Sequence, residues 1–296
     1  MRRPTAIRPR RSVLYMPGSN ARALEKARTL PADAVVLDLE DAVAPEAKIE
    51  ARERIAAVLG EGGFGRREVV VRINALASPW GADDIARLAG SGADALLVPK
   101  VESAAEIARL EQVLAGAPAA LALWAMIETP RAILEVGGIA ATAAKPGARL
   151  SAFVIGTNDL VKETRATLEQ GRFAALYWLS ATVTAARAHG LDVLDGVYND
   201  FKDLAGFENE CQQGRILGMD GKTLIHPSQI EGANAAFSPA EAEVAWARRI
   251  IAEFAKPEAK GRGVITIDGR MVELLHAEMA ARTVAIADAI AASSAG

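Results

Sequence analysis

The chain alternates between short, continuous apolar runs and longer segments in which apolar residues recur at helical spacing. Each run is apolar throughout, which is typical of parallel strands that are covered on both faces. The predicted strands are 12–17, 34–40, 68–74, 95–101, 121–128, 150–159, 191–197 and 222–227. This alternation of strands and helices predicts an α/β fold, a (β/α)₈ TIM barrel, because a doubly wound open sheet usually has fewer strands.

The chain continues beyond the eighth predicted strand for longer than one barrel helix requires. FSPAEAEVAWARRIIAEFA predicts an amphipathic helix, and a Lys/Gly-rich break at 258–263 follows it. A short strand-like VITID and a helix from 271 to 292 come next. We therefore predict a barrel domain with a short basic N-terminal arm over residues 1–255. Residues 256–296 are predicted to form a C-terminal lid that lies over the same barrel or over a neighbouring subunit.

Composition narrows the classes of function without choosing among them. A net charge of −3 gives no reason to expect nucleic acid as a partner. Cys211 is the one cysteine, which excludes a disulfide framework and a thiolate metal cluster. No apolar run reaches the roughly 18 residues that span a bilayer, and the arginine-rich N-terminus lacks the apolar segment of a signal peptide. We expect a cytoplasmic protein that binds neither nucleic acid nor a membrane.

Ionisable and amide side chains concentrate where the predicted strands end. The active site of a TIM barrel lies at the carboxyl ends of its strands, whereas the strand bodies here are apolar. The side chains at these ends are Asp38, Glu40, Asp41, Arg72, Asn74, Lys100, Glu128, Asn158, Asp159, Asp195 and His226. Acids and amides at such positions also cap the helices that follow strands, so both roles stay open for each residue.

Glu128 and Asp159 are the candidate metal ligands. They end the fifth and sixth predicted strands, which would be neighbours roughly 4.8 Å apart in the sheet. Oxygen ligands without His or Cys favour a hard cation, Mg²⁺ or Mn²⁺, that retains some of its water. Glu40 and Asp41 would then hold those waters from the second strand.

Two basic residues, Arg72 and Lys100, lie among these acids, and each has more than one possible role. Arg72 lies between apolar residues in VVVRIN, so its guanidinium must be paired or must donate to an anionic or developing oxyanion centre. Asp38 is one candidate for that pairing. Lys100, in VPKVE, is a candidate for a Schiff base with a carbonyl substrate or for an ion pair. The three histidines are too far apart in the sequence for a zinc site.

Taken together, these stretches resemble the citrate lyase β-subunit family of HpcH/HpaI-type aldolases, which includes malyl-CoA and citramalyl-CoA lyases. The matching stretches, in family order, are RSVLYMPGS (11–19), VVLDLEDAV (35–43), APEAKIEAR (44–52), VRIN (71–74), LLVPKVE (96–102), MIETPRAI (126–133), FVIGTNDL (153–160) and LIHPSQI (224–230). The resemblance implies a (β/α)₈ barrel that binds Mg²⁺ and cleaves or forms a carbon–carbon bond beside a CoA thioester.

The resemblance also implies roles for individual residues of the barrel. The metal ligands of the family fall on Glu128 and Asp159. The substrate-binding arginine falls on Arg72, and the acids that hold metal-bound water fall on Glu40 and Asp41. These are the positions that the strand ends had already indicated.

Residues outside this group are implied by shorter matches. Arg11 and Ser19, around the PGS turn, resemble residues that lie near the CoA moiety. In the C-terminal segment the family pattern G-[KR]-M-I-D ends in an aspartate that acts on the thioester. Here the stretch reads DGRMVE, so Glu273 occupies the aspartate position and Asp268 lies close by. Glutamate keeps the charge and reaches one methylene further.

The resemblance predicts a carbon–carbon lyase that acts on the CoA thioester of a 2-hydroxy acid. Substrates of the malyl-CoA, methylmalyl-CoA or citramalyl-CoA type would yield an acyl-CoA and a 2-oxo acid such as glyoxylate or pyruvate. The alternatives are a malyl-CoA thioesterase, a citrate lyase β-subunit with an acyl-carrier partner, and a CoA-independent 2-oxo-acid aldolase. The resemblance also implies a homotrimer or homohexamer whose C-terminal segment closes the active site of an adjacent subunit.

Overall fold

Eight parallel strands close into a barrel in the computed structural model, which describes residues 7–294. Each strand pairs with its neighbours in chain order, and β8 pairs with β1 to close the ring. The strands are β1 (Ser12–Pro17), β2 (Ala34–Asp38), β3 (Glu68–Arg72), β4 (Ala95–Val98), β5 (Ala122–Ile127), β6 (Leu150–Ile155), β7 (Asp192–Asp195) and β8 (Gly221–Leu224). The predicted (β/α)₈ TIM barrel is confirmed.

Helices follow the strands and cover the outside of the barrel. They are α1 (Ala21–Ala27), α2 (Lys48–Glu61), α3 (Gly81–Leu88), α4 (Ala104–Val113), α5 (Pro130–Ala141), α6 (Thr157–Thr164), α7 (Leu176–His189), α8 (Leu204–Leu217) and α9 (Ile230–Ala236). Within residues 7–294, no helix combines the length and the apolar character that crossing a bilayer demands.

The sixth strand is shorter than its apolar run predicted. β6 ends at Ile155, and Gly156 precedes α6, so Asn158 and Asp159 lie in the first turn of a helix rather than on a strand. An acidic residue in this position is favoured by the partial positive charge of the helix N-terminus. Asp159 still lies at the carboxyl end of the barrel, because α6 begins there.

Between its two ends, the inside of the barrel is lined by apolar side chains. Alternate residues of each strand point inward, as the period of two requires. The lumen residues are Val13, Ala34, Val36, Val70, Ala95, Leu97, Trp124, Met126, Ala152, Val154 and Leu194. Asp38 and Arg72 occupy the next inward positions on β2 and β3, and Glu128 occupies the corresponding position directly after β5. The periodicity that builds the lumen therefore also aims these three charges at its mouth.

The opposite end of the barrel is filled by an arginine of the expected basic arm. Arg10 Nε lies 2.6 Å from Glu68 Oε2, and its guanidinium also pairs with Asp192. The guanidinium carbon lies 4.9 Å from the centre of the Trp124 ring in the lumen. Arg10 is therefore a structural plug and not a solvated charge. Residues 1–6 of the expected arm lie outside the described residues.

A second compact unit begins at Ser238, while Arg10–Phe237 form the barrel unit. Its elements are α10 (Glu241–Phe254), β9 (Val264–Ile267), β10 (Arg270–Glu273) and α11 (Leu274–Ser294). The helix α10, which the sequence had placed in the barrel domain, packs on α11 and β9. Buried apolar residues from all four elements form a core of this unit. Its predicted role as a lid stays a prediction.

The expected helix from residue 271 begins later, because the chain first makes a β-hairpin. Asp268 and Gly269 both have positive φ, 49° and 77°. Two such residues make the tight turn that joins antiparallel strands, and Asp-Gly is a preferred sequence for it. Arg270 accordingly pairs with Ile267 across the turn.

Candidate active site

The centre of the site is an ion pair between neighbouring strands. Asp38 of β2 is in register with Arg72 of β3, and the carboxylate accepts hydrogen bonds of 2.6 Å from both Nε and Nη2. Asp38 also accepts hydrogen bonds from the backbone N–H groups of Glu40 and Ala42. The expected pairing of Asp38 with an arginine is confirmed. The same contacts fix the loop that carries the next two acids.

Arg72 contacts those two acids through its remaining nitrogen. Nη1 lies 2.8 Å from Glu40 Oε2 and 3.1 Å from Asp41 Oδ2, and the ring of Tyr15 lies beneath the guanidinium at 4.8 Å. The Glu40 contact lies off the N–H direction, so buried Oε2 has no hydrogen-bond donor within the described chain. The Asp41 side chain is 65% exposed. Arg72 is thus bound firmly on the Asp38 side and loosely towards solvent.

Lys48, the first residue of α2, holds the backbone of the loop that carries Glu40 and Asp41. Its buried ammonium donates to the carbonyl oxygens of Leu39 at 2.8 Å and Glu40 at 2.9 Å, and to Asn74 Oδ1 at 2.7 Å. All three N–H donors of the lysine are used. The sequence did not identify this residue. One signal was available, because a lysine in the first turn of α2 opposes the helix dipole and therefore suggests specific partners.

Lys100 contacts two acids of the site at once. Its backbone N–H donates to Glu128 Oε1 at 2.8 Å, and its Nζ donates to Glu40 Oε1 at 2.7 Å. Burial opposes the charge, but the hydrogen bond to Glu40 and the charges of Glu128 and Glu40 raise the pKa of Lys100 above its ordinary value. A protonated, paired amine is a poor nucleophile, so this environment favours the ion-pair role over a Schiff base.

Glu128 is the most perturbed acid of the site. Its side chain is buried at the end of β5, and burial raises the pKa of Glu128 to about 8. The charges of Glu40 and Asp159 add to this effect, and Lys100 opposes it. Gly156 makes room for the carboxylate, because a Cβ at that position would lie 2.5 Å from Glu128 Oε2. An acid this disfavoured in its ionised form gains from a cation beside it.

The described residues fit a hard divalent cation. Glu128 and Asp159 bear charges that interact, and Glu40 adds a buried carboxylate oxygen without a hydrogen-bond donor. Across residues 7–294, no group of three or more His, Cys, Asp or Glu side chains is arranged as a metal cage. Two protein oxygens with water completing the coordination is a usual arrangement for Mg²⁺.

The two residues expected near CoA lie at opposite ends of the barrel. Ser19 follows β1 in an exposed turn at the carboxyl ends, where Gly18 N–H donates to the Asp38 carbonyl at 2.9 Å. Arg11 precedes β1, and its Nη2 lies 2.7 Å from Asp33 Oδ1. Ser19 therefore lies at the end of the barrel that carries the acids of the site, and both expected contacts with CoA stay predictions. Arg11 serves the amino end of the barrel.

Glu273 belongs to the C-terminal unit, at the end of β10. The residue is half-buried there, and its backbone N–H donates to His276 Nδ1 at 2.9 Å. The neighbouring acid Asp268 lies in the hairpin turn and pairs with Arg249 at 2.7 Å. Of the two acids, Asp268 therefore has a structural partner, and no side-chain partner of Glu273 appears among the described contacts.

Comparison with known proteins identifies relatives of this arrangement. A family model described as HpcH/HpaI aldolase/citrate lyase matches residues 11–227. The (3S)-malyl-CoA thioesterase of Cereibacter sphaeroides is 49% identical over 284 residues, which cover 96% of each chain. The L-malyl-CoA/beta-methylmalyl-CoA lyase of the same organism is 33% identical over 98% of each chain.

A solved structure matches at the level of the fold and the sequence. The protein CitE from Mycobacterium tuberculosis, in complex with magnesium, acetoacetate and coenzyme A, superposes with a TM-score of 0.72 at 31% identity. The match covers 93% of this chain and 97% of that one. With the family model spanning the barrel and relatives matching nearly the whole chain, this protein belongs to the HpcH/HpaI aldolase/citrate lyase family.

Proposed function

We propose that this protein is a metal-dependent thioesterase that hydrolyses the CoA thioester of a malyl-type 2-hydroxy acid. The observation that carries the proposal is the identity of 49% to a (3S)-malyl-CoA thioesterase over 96% of both chains. The identity to a malyl-CoA lyase of similar coverage is 33%. A thioester of a small hydroxy acid also suits the charge pattern of the barrel mouth, which combines acids for a metal with an arginine for an anionic oxygen.

In this proposal Glu128 and Asp159 hold Mg²⁺ or Mn²⁺, and Glu40 and Asp41 hold its water ligands. Such an ion supplies Lewis acidity, which polarises a bound oxygen and lowers the pKa of bound water. The protein residues supply the geometry. Gly156 leaves Glu128 its space, and Lys48 holds the loop backbone that aims Glu40 into the site.

Arg72 is the proposed donor to the oxyanion that forms at the thioester carbonyl. Its two contacts with Asp38 fix the plane of the guanidinium. The Nη1 contact with exposed Asp41 is the longer one, at 3.1 Å, and a substrate oxygen would replace it. A donor held in place before the reaction stabilises the developing charge without reorganisation at the moment of reaction.

Glu273 is the proposed base that activates the attacking water. Hydrolysis needs a proton acceptor for that water, and a carboxylate is a suitable one. We propose that the C-terminal unit closes the active site of an adjacent subunit in a homotrimer or homohexamer, which would bring Glu273 to the thioester. Ser19, in the turn after β1, is the proposed contact of the CoA moiety.

A carbon–carbon lyase is the second candidate function. It is favoured by the identity of 33% to a malyl-CoA/methylmalyl-CoA lyase and by the CitE structure with magnesium and coenzyme A. In that reaction Arg72 would stabilise the thioester enolate, while a 2-oxo acid such as glyoxylate or pyruvate leaves. In the reverse direction Glu273 would remove the α-proton of the acyl-CoA.

One assay separates the two reactions. The purified protein is incubated with Mg²⁺ and malyl-CoA, citramalyl-CoA or β-methylmalyl-CoA, and free thiol and 2-oxo acid are followed separately. Hydrolysis releases thiol and no 2-oxo acid, whereas a lyase releases 2-oxo acid while the thioester persists. EDTA should abolish either reaction. Release of neither product would overturn both proposals, and activity on free 2-hydroxy acids would identify a CoA-independent aldolase.

A further inference from the structure

We propose that Lys100 is a built-in cation of the metal site, which holds Glu40 and Glu128 in place before the metal binds and lowers the affinity for Mg²⁺. This inference rests on the proposed function, since it concerns the same two acids. It adds a role for a residue to which the proposed reaction gives none.

The first observation is that one residue contacts both acids by different groups. The backbone N–H of Lys100 bonds Glu128, and the side-chain ammonium bonds Glu40, at 2.8 Å and 2.7 Å. The two carboxylates come from β5 and from the loop after β2. No other residue in the described chain is seen to donate hydrogen bonds to both carboxylates. The charge of Glu40 raises the pKa of Glu128, and Lys100 opposes that effect.

The second observation is the backbone conformation of Lys100. Its φ is 53°, and only four residues other than glycine have a positive φ in the described chain. This region is costly for a residue with a long side chain, and glycine adopts it at no such cost. The conformation itself serves the contact with Glu128, because it sets the direction of the N–H group. A glycine would form the same backbone contact with less steric strain. The contribution specific to the lysine is therefore the contact of its ammonium with Glu40.

The third observation concerns the charges around the ammonium. Arg72 is committed to Asp38 by two hydrogen bonds. Its third nitrogen, Nη1, lies 2.8 Å from Glu40 Oε2, so Arg72 and Lys100 share Glu40. Lys100 is the cation that donates hydrogen bonds to both Glu40 and Glu128. Its side chain is 41% exposed, so solvent and ions reach it. This ammonium would repel a divalent ion bound at Glu128. The two cations would also compete for the carboxylates of Glu40 and Glu128. Removing the ammonium should therefore tighten metal binding.

The experiment measures Mg²⁺ binding without substrate, by isothermal titration calorimetry of the full-length protein. Lys100→Met keeps the length of the side chain and the backbone N–H but removes the charge. We expect its Kd for Mg²⁺ to fall about tenfold, which corresponds to about 1.4 kcal/mol. Lys100→Arg keeps the charge, and its Kd should stay within about twofold of wild type.

A matched control separates the local effect from a change of net charge. Lys145 is exposed and precedes β6, at the amino end of the barrel. Lys145→Met makes the same chemical change there and should leave the Kd unaltered. Lys100→Gly is a second test variant, which also removes the backbone strain and should tighten binding as Lys100→Met does.

Each outcome decides the inference. A Kd for Lys100→Met and Lys100→Gly that is unchanged or weaker than wild type would overturn the role of Lys100 and leave the proposed metal site intact. Wild-type protein that takes up no Mg²⁺ would overturn the metal site and this inference together. Tighter binding in both variants, with Lys145→Met unchanged, would support it.

Discussion

The barrel holds two clusters of charged side chains, one partly open to solvent and one buried, and they differ in the ratio of acids to cations. The mouth cluster consists of Asp38, Glu40, Asp41, Arg72, Lys100, Glu128 and Asp159. The wall cluster consists of Arg172, Asp195, Glu210 and Lys222, and it lies between the last two strands and α8. In the wall cluster Lys222 Nζ lies 3.0 Å from Asp195 Oδ2, and Arg172 Nη1 lies 2.8 Å from Asp195 Oδ1.

One buried acid from each cluster shows the difference, because the pKa of Asp195 is lowered and the pKa of Glu128 is raised. Burial opposes ionisation of Asp195, but Lys222 and Arg172 hold its pKa below the ordinary value. Burial raises the pKa of Glu128 to about 8, and its acidic neighbours add to the rise. The wall cluster has two acids for two cations, so its formal charges cancel. The mouth cluster has five acids for two cations, an excess of negative charge that the proposed metal ion would offset.

The largest expected effect is a loss of unfolding free energy when the wall cluster is disrupted. Lys222→Met leaves Asp195 and Glu210 with one cation between them, in a position without solvent access. Breaking a buried ion pair in this way costs about 3–5 kcal/mol of unfolding free energy. Urea unfolding measures the loss. Arg87→Met, which removes an exposed pair with Glu53, is the control and should cost less than about 1 kcal/mol. A similar small loss for Lys222→Met would contradict the balance argument.

The next effect concerns turnover at the mouth cluster. Arg72→Ala removes the proposed oxyanion donor and should lower kcat about a hundredfold, or about 3 kcal/mol. The rate of thiol or 2-oxo acid release measures it. Circular dichroism confirms that the variant is folded, and Arg72→Lys tests the same role with the charge retained. Wild-type turnover in Arg72→Ala would show that this arginine serves structure alone.

A smaller effect is expected from the pH dependence of stability in metal-free protein. The folded-state pKa of Glu128 is raised from 4.5 to about 8, so the folded protein favours the protonated form. Its stability is therefore greatest below about pH 4.5 with respect to this group and decreases as the pH rises towards 8. Glu128→Gln should remove that decrease, so the variant should be more stable than wild type at pH 8.

Asp195→Asn tests a group whose effect on stability depends on pH in the opposite direction. The pKa of Asp195 is lowered from 3.8, so its stabilising contribution is present above that pH and is lost as the pH falls through the lower folded-state value. Chemical denaturation at several pH values, with EDTA present, measures both variants. Equal slopes for wild type and Glu128→Gln between pH 5 and 8 would refute the perturbation of Glu128.

The smallest expected effect is on Mg²⁺ binding, and it tests the position of Glu128 in the mouth cluster. Gly156→Ala places a Cβ 2.4 Å from Glu128 Cβ, so the acid must move. The φ of Gly156 is −97°, which alanine adopts without strain. We expect Mg²⁺ binding to weaken by about tenfold, or about 1.4 kcal/mol. Gly137→Ala, where a Cβ meets nothing within 4 Å, is the matched control. Equal Kd values for the two variants would place the metal elsewhere.

The sequence predicted the strands well because their apolar runs report burial on two faces. It also indicated Arg72 and Glu128 as candidates, since a charge at the end of such a run is unusual, and their proposed roles stay predictions. It placed Asp159 on a strand, whereas β6 ends at Ile155 and Asp159 lies in α6. The apolar run up to Ile155 does not show where the strand ends and the helix begins. The Asp268–Gly269 turn had a readable signal, the preference of Asp-Gly for positive φ, which the helical pattern after it obscured.

The barrel and the strand ends that carry its charges can be read from the sequence alone, because local periodicity specifies both. Which of those charges are balanced depends on the folded arrangement. Asp195 and Glu128 both end apolar strands, yet one meets Lys222 and Arg172 and the other meets acids. Charge balance depends on distances between residues far apart in the chain, and the spacing of residues along one strand contains no information about them.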